Sequence, residues 1–209
     1  MKNKKYIVFL TIILLFFVII ICSCIGAANV TYTDVIKILL NKIVRINIDI
    51  SEISKSAQTI IWKVRFPRVL IGLVVGGTLS IAGATYQGLL KNPMADPYVI
   101  GVSSGAAFGA TIGIVSKISF KIFGLSFISI MAFIGAVAVI FLVYNIAKIG
   151  KKVPMTTLLL SGIAIGQFLT AFTSLMMIFY DSDMHKIVFW TLGSLSGKGW
   201  SQFYTILPY

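Results

Sequence analysis

The sequence contains few of the side chains with which proteins carry out chemistry. Of its 209 residues, 11% are charged, six are acidic, one is histidine and two are cysteine. Acid–base catalysis and metal binding both need several such groups in one place, and no constellation of them converges within the apolar runs of the chain. We therefore expect a protein that is not an enzyme and that holds no metal and no cofactor.

The shortage of charge also excludes a soluble domain. Hydrophobic residues make up 58% of the chain and the mean hydropathy is +0.98, which leaves no solvated surface for a globular protein of this size. The net charge of +12 is scattered among apolar runs, whereas nucleic-acid binding needs a basic patch with aromatic stacking positions. Lipid is the expected solvent, with anionic headgroups as counter-charges.

Five runs without charge are near or above the ~20 residues that a spanning helix needs. They are Tyr6–Ala28, Val69–Leu90, Pro97–Ser116, Ile122–Ala147 and Val153–Tyr180. A further apolar stretch begins near Trp200 and reaches Tyr209. The expected fold is an all-α membrane protein: a polytopic helical bundle with five complete transmembrane helices and part of a sixth, placed in the cell membrane as a multi-pass protein.

One long hydrophilic segment, Asn29–Arg68, separates the first two runs. Within it, Tyr32–Val44 has apolar residues at helical spacing beside two lysines. This pattern predicts a short helix on the membrane surface. The residues Arg45–Ser56 give no periodic signal and are expected to be irregular.

A break in helical structure is specified at Asn92, Pro93, Asp96 and Pro97. Each proline lacks an amide donor and restricts the residue before it. In a membrane protein, broken backbone is tolerated where it packs on protein or lines a watery cavity. Asp96 can cap the following helix, pair with Lys91 or line a pathway, and capping is favoured because carboxylates satisfy free amides at a helix start.

Glycines recur at helical spacing in three of the runs. The repeats are Gly101, Gly105, Gly109 and Gly113 in the third run, Gly72 and Gly76 in the second, and Gly162 and Gly166 in the fifth. Small residues four apart allow two helices to approach closely, so these glycines predict packing surfaces. Ser103 and Ser104, next to the break, are placed to present hydroxyls to a central pathway.

Several motifs together resemble the FecCD-type permease family. They are Arg65-Phe66-Pro67-Arg68, Gly76-Gly77, Gly83-Ala84 ahead of Gln87, Asn92 to Pro97, Gly101 to Ala106, and Trp190 with Gly193-Ser194. Members are the membrane subunits of ABC importers for iron-siderophore complexes, haem and vitamin B12. The resemblance covers about Trp62 to Trp200 and is most specific in Arg65–Ala106.

The resemblance implies a permease that works with three partners: a cytoplasmic ATPase, an external substrate-binding protein and a second permease subunit, identical or different. Family members have about ten helices, so residues 1–209 are expected to form a single transmembrane permease domain that lacks its C-terminal part. The alternative is a non-transporting remnant, or half a permease that needs a separate complement. Cargo stays open among siderophores, haem and cobalamin.

The resemblance also implies roles for individual residues. With the N-terminus inside the cell, residues 29–68 are extracytoplasmic, and Arg65 and Arg68 lie on the face that receives the binding protein. The ordinary alternative is an arginine that snorkels at a helix end. Thr156 and Thr157 would narrow the cytoplasmic end of the pathway, unless they only satisfy backbone amides at a helix start.

Two other patterns do not support a site. Gly193–Gly199 is similar to a phosphate loop, but it has one residue too few between its glycines and has glycine where Ser or Thr must hold magnesium. Asp181, Asp183 and His185 alternate in a segment that we expect to be an exposed, solvated linker. No metal is assigned to it.

Overall fold

The computed structural model describes residues 2–26, 28, 30–93, 95–122 and 124–208. Most of these residues are helical. The α-helices are α1 (Lys2–Cys24), α2 (Tyr32–Leu39), α3 (Lys55–Thr59), α4 (Phe66–Leu90), α5 (Val102–Val115), α6 (Phe127–Ala147), α7 (Met155–Phe179), α8 (Asp181–Leu192) and α9 (Trp200–Ile206). Two strands, β1 (Lys121–Ile122) and β2 (Leu125–Ser126), pair antiparallel before α6.

The expectation of an all-α membrane protein is confirmed. Four helical stretches in the described part of the chain are long and apolar enough to cross a membrane: Lys4–Cys24, Lys55–Leu90, Phe127–Ala147 and Met155–Phe179. The run Pro97–Ser116 differs from a single span, because a 3-10 turn at its start leaves α5 with 14 residues. At 1.5 Å per residue such a helix is about 21 Å long, short of the ~30 Å hydrocarbon core.

The second long helix begins earlier than hydropathy indicates. Helical backbone starts at Lys55 and continues for 36 residues to Leu90, whereas the charge-free run starts only at Val69. Ser54 begins this helix, since its hydroxyl accepts the Ala57 amide at 3.2 Å. Charged side chains keep a stretch of chain out of the lipid, but they do not prevent it from forming a helix. The first turns of this helix therefore lie within the hydrophilic segment. Asn29, where we began that segment, lies outside the described residues.

The predicted helix in the hydrophilic segment is confirmed as α2, which continues into a π-helical turn at Leu40–Val44. Its buried face carries Val35, Ile38 and Leu39, which pack with Cys24 at the end of α1. Of the residues expected to be irregular, Arg45–Ser56, the segment from Arg45 to Ser54 is not helical. Lys55 and Ser56 are helical and begin α3, because the Ser54 hydroxyl caps that helix. In contrast to this packed helix, most side chains of α1 are exposed, which suits a helix surrounded by lipid.

A second π-helical turn, Ile60–Arg65, joins α3 to α4 and frees a carbonyl group. In an α-helix the amide of Phe66 would bond four residues back, to Trp62. Here it donates to Ile61 instead. The carbonyl of Trp62 accepts the indole N–H of Trp200 at 2.7 Å, and the Trp62 and Trp200 rings lie 5.0 Å apart. Trp200 therefore completes the hydrogen bonding of the π turn.

Replacing Trp200 with phenylalanine should expose this dependence. The phenyl ring would keep only part of the packing of the indole, and the carbonyl of Trp62 would lose its donor, which costs about 1–3 kcal/mol where the group is buried. Thermal unfolding in detergent micelles measures the loss. Tyr204→Phe is the matched control, because Tyr204 stacks on Trp200 but is 63% exposed. Equal melting temperatures for the two variants would contradict the role of the indole N–H.

The chain forms two compact units, one of Met1–Gly76 with Leu195–Tyr209 and one of Gly77–Ser194. The core of the first contains α2, the π turn at Ile60–Arg65 and Phe66. In the second, Ile100, Val139 and Val143 form a buried cluster to which α7 contributes Leu158 and Ile165. A single transmembrane domain over residues 1–209 stays a prediction.

Candidate functional site

The break before α5 is built by Asp96, Pro97 and Gly101. The carboxylate of Asp96 accepts the Tyr98 amide at 2.8 Å and caps a 3-10 turn over Pro97–Ile100. Gly101 then takes φ +84°, a left-handed conformation that glycine adopts without steric cost, and α5 starts at the next residue. Capping is thus the role that Asp96 has in the structure. Met94, within the same motif, lies outside the described residues.

This turn is covered closely by α7. A Cβ atom on Gly162 would lie 2.7 Å from the carbonyl oxygen of Val99 and 2.8 Å from Cα of Ile100. A Cβ on Gly166 would lie 3.2 Å from Oγ of Ser104. Only glycine lets α7 pass the turn at this distance. The broken backbone is therefore packed on protein, one of the two settings in which a membrane tolerates it.

A cavity of about 710 Å³ opens beside this contact. Its walls come from the 3-10 turn, α5, α7 and α8. The lining residues are Tyr98, Val99, Gly101, Ser103, Ser104, Ala106, Ala107, Gly162, Ile163, Gly166, Gln167, Thr170, Thr173, Ser174, Met177, Trp190 and Thr191. None of these lining residues is charged. The volume is that of a pocket for a sizeable ligand.

Toward a molecule in the cavity, the hydroxyl groups of the wall can act mainly as hydrogen-bond acceptors, because their protons are already donated to backbone carbonyls. Ser104 donates its proton to the Gly101 carbonyl at 3.0 Å, Thr170 donates to Gly166 at 2.9 Å, and Thr191 donates to Ile187 at 2.9 Å. Each hydroxyl oxygen keeps its lone pairs for another partner. The wall therefore offers weak, neutral hydrogen bonds along its length. The lining contains no carboxylate, histidine or lysine that could act as a general base toward these hydroxyls.

The residues named from the sequence fall into two sets. Gly101, Ser103, Ser104, Gly162 and Gly166 line the cavity. The others lie elsewhere. Asn92, Pro93 and Asp96 lie in the turn before the cavity, and Gly105, Gly109 and Gly113 pack against α6. Gly72 and Gly76 lie in α4, where a Cβ atom on Gly72 would be 3.8 Å from Cδ1 of Leu195, and Thr156 and Thr157 lie in the first turn of α7. The structure therefore brings the break and two of the packing glycines together at one cavity.

Sequence reasoning missed the stripe of α7 that faces the cavity. Ile163, Gln167, Thr170, Ser174 and Met177 follow one another at intervals of four and three residues and all line it. This spacing puts them on one helix face, and a polar stripe inside an otherwise apolar span is the signal that would have found them.

The segment after α7 is a helix, which corrects the expectation of an exposed linker. Asp183 of α8 is 2% exposed, and Nζ of Lys186 donates to its Oδ1 at 2.7 Å. This hydrogen bond is the main cause that lowers the pKa of Asp183 below its ordinary value. His185 is exposed. Among the described residues there is no group of three side chains able to hold a metal ion.

Arg65 and Arg68 occupy different environments at the start of α4. Arg65 is 8% exposed, and its guanidinium donates to the carbonyls of Cys24 at 2.9 Å and Ala28 at 2.7 Å. Arg68 is half-buried, and its Nε has no hydrogen-bond partner in the part of the chain that the structure describes. Arg65 thus binds the end of α1. Docking of a binding protein at the two arginines stays a prediction.

Comparison with known proteins gives consistent results. The sequence pattern of the FecCD transport family matches residues 13–209. The cobalamin import system permease protein BtuC of Halobacterium salinarum is 39% identical over 156 residues, which cover 75% of this chain and 41% of that protein. The Fe(3+)-citrate import system permease protein YfmD of Bacillus subtilis is 34% identical over 189 residues, covering 88% and 51%.

A solved structure shares the fold. It is of an ABC transporter assigned to the metal-chelate type, in an inward-facing conformation, with a TM-score of 0.73 and 25% identity over 96% of this chain and 57% of that chain. The chain thus spans about half the length of the proteins that it matches. Together with the four described helical stretches that are long and apolar enough to cross a membrane, these similarities identify an integral membrane protein.

Proposed function

Because the chain belongs to the FecCD transport family, we propose that it forms part of the membrane pathway of an ABC importer. The compound carried inward is an iron chelate or a compound of similar bulk, such as haem or cobalamin. The relatives that support this range are permease proteins for cobalamin and for Fe(3+)-citrate. The prediction that the chain is not an enzyme agrees with a family of transport proteins.

The observation that carries the proposal is the neutral cavity between α5, α7 and α8. A compound that must leave its site quickly should be held by weak contacts, and this wall has hydroxyls with no charged side chain among the residues that line it. A secondary transporter would place ionisable groups at mid-membrane for ion coupling. Energy for transport would therefore come from a separate ATPase subunit.

The partners follow from the same proposal. A cytoplasmic ATP-binding subunit drives transport, an extracytoplasmic binding protein delivers the cargo, and a second permease subunit completes the pathway. With the N-terminus inside, the resemblance to the family puts docking of the binding protein at Arg65 and Arg68. It assigns Thr156 and Thr157, in the first turn of α7, to the cytoplasmic end of the pathway. The two threonines are proposed as a gate on that basis.

The proposal is tested with the native importer, purified with its ATPase and binding protein and reconstituted in vesicles. ATP-dependent uptake of a panel of ferric siderophores, ferric citrate, haem and cobalamin is the measurement. We expect uptake of one class from this panel. Assembly of the complex without uptake of any member would favour the alternative of a chain that does not transport.

Thr170→Trp should slow uptake roughly tenfold. An indole at this position projects into the cavity wall, and a barrier raised by about 1.4 kcal/mol accounts for that factor. Phe168→Trp is the matched control, because Phe168 is on the same helix, is 57% exposed and does not line the cavity. The initial uptake rates of Thr170→Trp and Phe168→Trp are compared at equal amounts of assembled importer. Equal slowing by both variants would argue against the cavity as the pathway.

A further inference from the structure

A groove of about 340 Å³ lies where the end of α1 meets the start of α4. Its lining includes the apolar residues Ile25, Ile60, Val64 and Val69 together with Arg65 and Arg68. None of the residues that line the groove is acidic. Two positive charges therefore share an apolar groove without a carboxylate in its wall.

The charge of Arg65 is oriented but not neutralised. Its guanidinium donates to the carbonyl oxygens of Cys24 and Ala28, and both acceptors are neutral. A Cβ on Gly26 would lie 2.6 to 2.7 Å from the guanidinium atoms, so the planar group rests on the backbone at this glycine. A buried charge of this kind is costly unless an opposite charge approaches it.

Arg68 supplies a donor that is ready for a ligand. The side chain is half-buried, and its Nε is buried without a hydrogen-bond partner among the described residues. Leaving a buried charged donor unpaired costs free energy. An oxyanion in the groove would satisfy this N–H and offset the charges of both arginines at once, through charge-assisted hydrogen bonds of the kind that arginine forms with phosphate.

The groove lies at a membrane surface. Helix α1 has 23 residues and is therefore about 34 Å long, enough to carry its last residue, Cys24, to the far side of the bilayer from its N-terminal lysines. The charge-free part of α4 begins at Val69, directly after Arg68. Ile21 and Ile25 beside the groove are 50% and 69% exposed, and an acyl chain can lie along them.

We propose that this groove binds the phosphodiester headgroup of an anionic phospholipid. The phosphate oxygens accept from Nε of Arg68 and face the guanidinium of Arg65, and the acyl chains lie on the exposed apolar surface of α1. Arg65 is 8% exposed, so any anion that faces its guanidinium has to enter the groove. A lipid reaches the groove from within the membrane. The proposal does not depend on transport.

The test compares the full chain in nanodiscs of phosphatidylcholine with and without phosphatidylglycerol. Bound phosphatidylglycerol is counted by native mass spectrometry, and thermal unfolding is measured in both lipids. We expect R68Q to weaken phosphatidylglycerol binding about tenfold, as loss of a charge-assisted hydrogen bond predicts. K63Q removes the same charge from an exposed side chain close by and should leave binding unchanged.

Four outcomes overturn the proposal, three of them measured in nanodiscs and one measured as binding-protein affinity. In the first, the wild type retains phosphatidylglycerol and phosphatidylcholine equally. In the second, R68Q and K63Q weaken binding to the same extent. In the third, inorganic phosphate added to phosphatidylcholine nanodiscs raises the melting temperature as much as the lipid does, which would identify a site for free anions. If R68Q does not fold, the proposal is tested by whether the wild type binds phosphatidylglycerol in preference to phosphatidylcholine. Loss of binding-protein affinity in R68Q with unchanged lipid binding would restore docking as the role of Arg68.

Discussion

Replacing Gly109 with leucine should lower the free energy of unfolding by about 3 kcal/mol or more, the upper part of the range for overpacked interiors. A Cβ atom on Gly109 would overlap the carbonyl oxygen of Met131 in α6, and one on Gly135 would overlap the carbonyl of Gly105. Helices α5 and α6 therefore touch through backbone atoms. Backbone cannot move aside as a flexible side chain can, so the helices would have to separate.

Separation is especially costly in a membrane. Lipid tails are as apolar as leucine, and close packing of small residues is what holds two helices together there. The loss of 3 kcal/mol corresponds to a fall in melting temperature of about 6–12 °C for a chain of this size. Thermal unfolding in detergent micelles, followed by circular dichroism, measures it.

Gly88→Leu is the matched control for this experiment. Gly88 lies in α4, and a Cβ there would meet nothing within 4 Å among the described residues. We expect its melting temperature to stay within about 2 °C of the wild type, as for a surface substitution. If Gly109→Leu and Gly88→Leu had the same small effect, the contact of α5 with α6 would not be the tight one that the structure shows.

The parts of the fold that the sequence predicted are those with local causes. Charge-free runs located α1, α6 and α7, because exclusion from water acts on each run separately. The glycines four residues apart, Gly105 to Gly113, predicted the packing face of α5, since the interval repeats along one helix side. Family membership, predicted from Arg65 to Ala106, is confirmed by the match over residues 13–209.

The parts that the sequence did not predict depend on contacts between distant residues. Gly135 in α6 has no repeat partner four residues away, yet it packs on Gly105. Arg65, in the second long helical stretch, finds its two acceptors about 40 residues earlier in the chain. A local sequence pattern does not indicate which distant residue will be the partner in such a contact.

The candidate site could be predicted from the sequence only in part. The break at Pro97 and Gly101 could be predicted, because proline and glycine impose their conformations locally. The cavity could not, because its wall combines the break with a face of α7 that follows more than 60 residues later. The polar residues Gln167, Thr170 and Ser174 share that face, but only the fold shows that the break lies opposite.

Replacing Arg65 with glutamine should detach the end of α1 and destabilise the protein by about 3 kcal/mol. The arginine makes two hydrogen bonds, to the carbonyls of Cys24 and Ala28, and each bond to a charged donor contributes about 1.5–3 kcal/mol. Part of that sum is offset because the buried charge is removed as well. Among the described residues, Arg65 is the only residue of the π-helical turn Ile60–Arg65 whose side chain donates to the last turn of α1, so that turn would lose this contact.

Cysteine reactivity reports this detachment directly. Cys24 is 8% exposed, while Cys22 is exposed, so in a Cys22→Ala background Cys24 alone is available to a water-soluble maleimide. Labelling should be slow in the parent and at least about tenfold faster with Arg65→Gln, because opening of the helix end controls access.

Lys63→Gln is the control for charge, because Lys63 is exposed on the same π turn. It should leave both the labelling rate and the melting temperature unchanged. The labelling rate and the melting temperature of Arg65→Lys should lie between those of Arg65→Gln and Lys63→Gln. One ammonium group cannot reproduce the planar fork with which a guanidinium donates to two carbonyls at once. If Arg65→Gln labelled Cys24 no faster than Lys63→Gln, the end of α1 would be held by the packing of α2 alone, through Val35, Ile38 and Leu39.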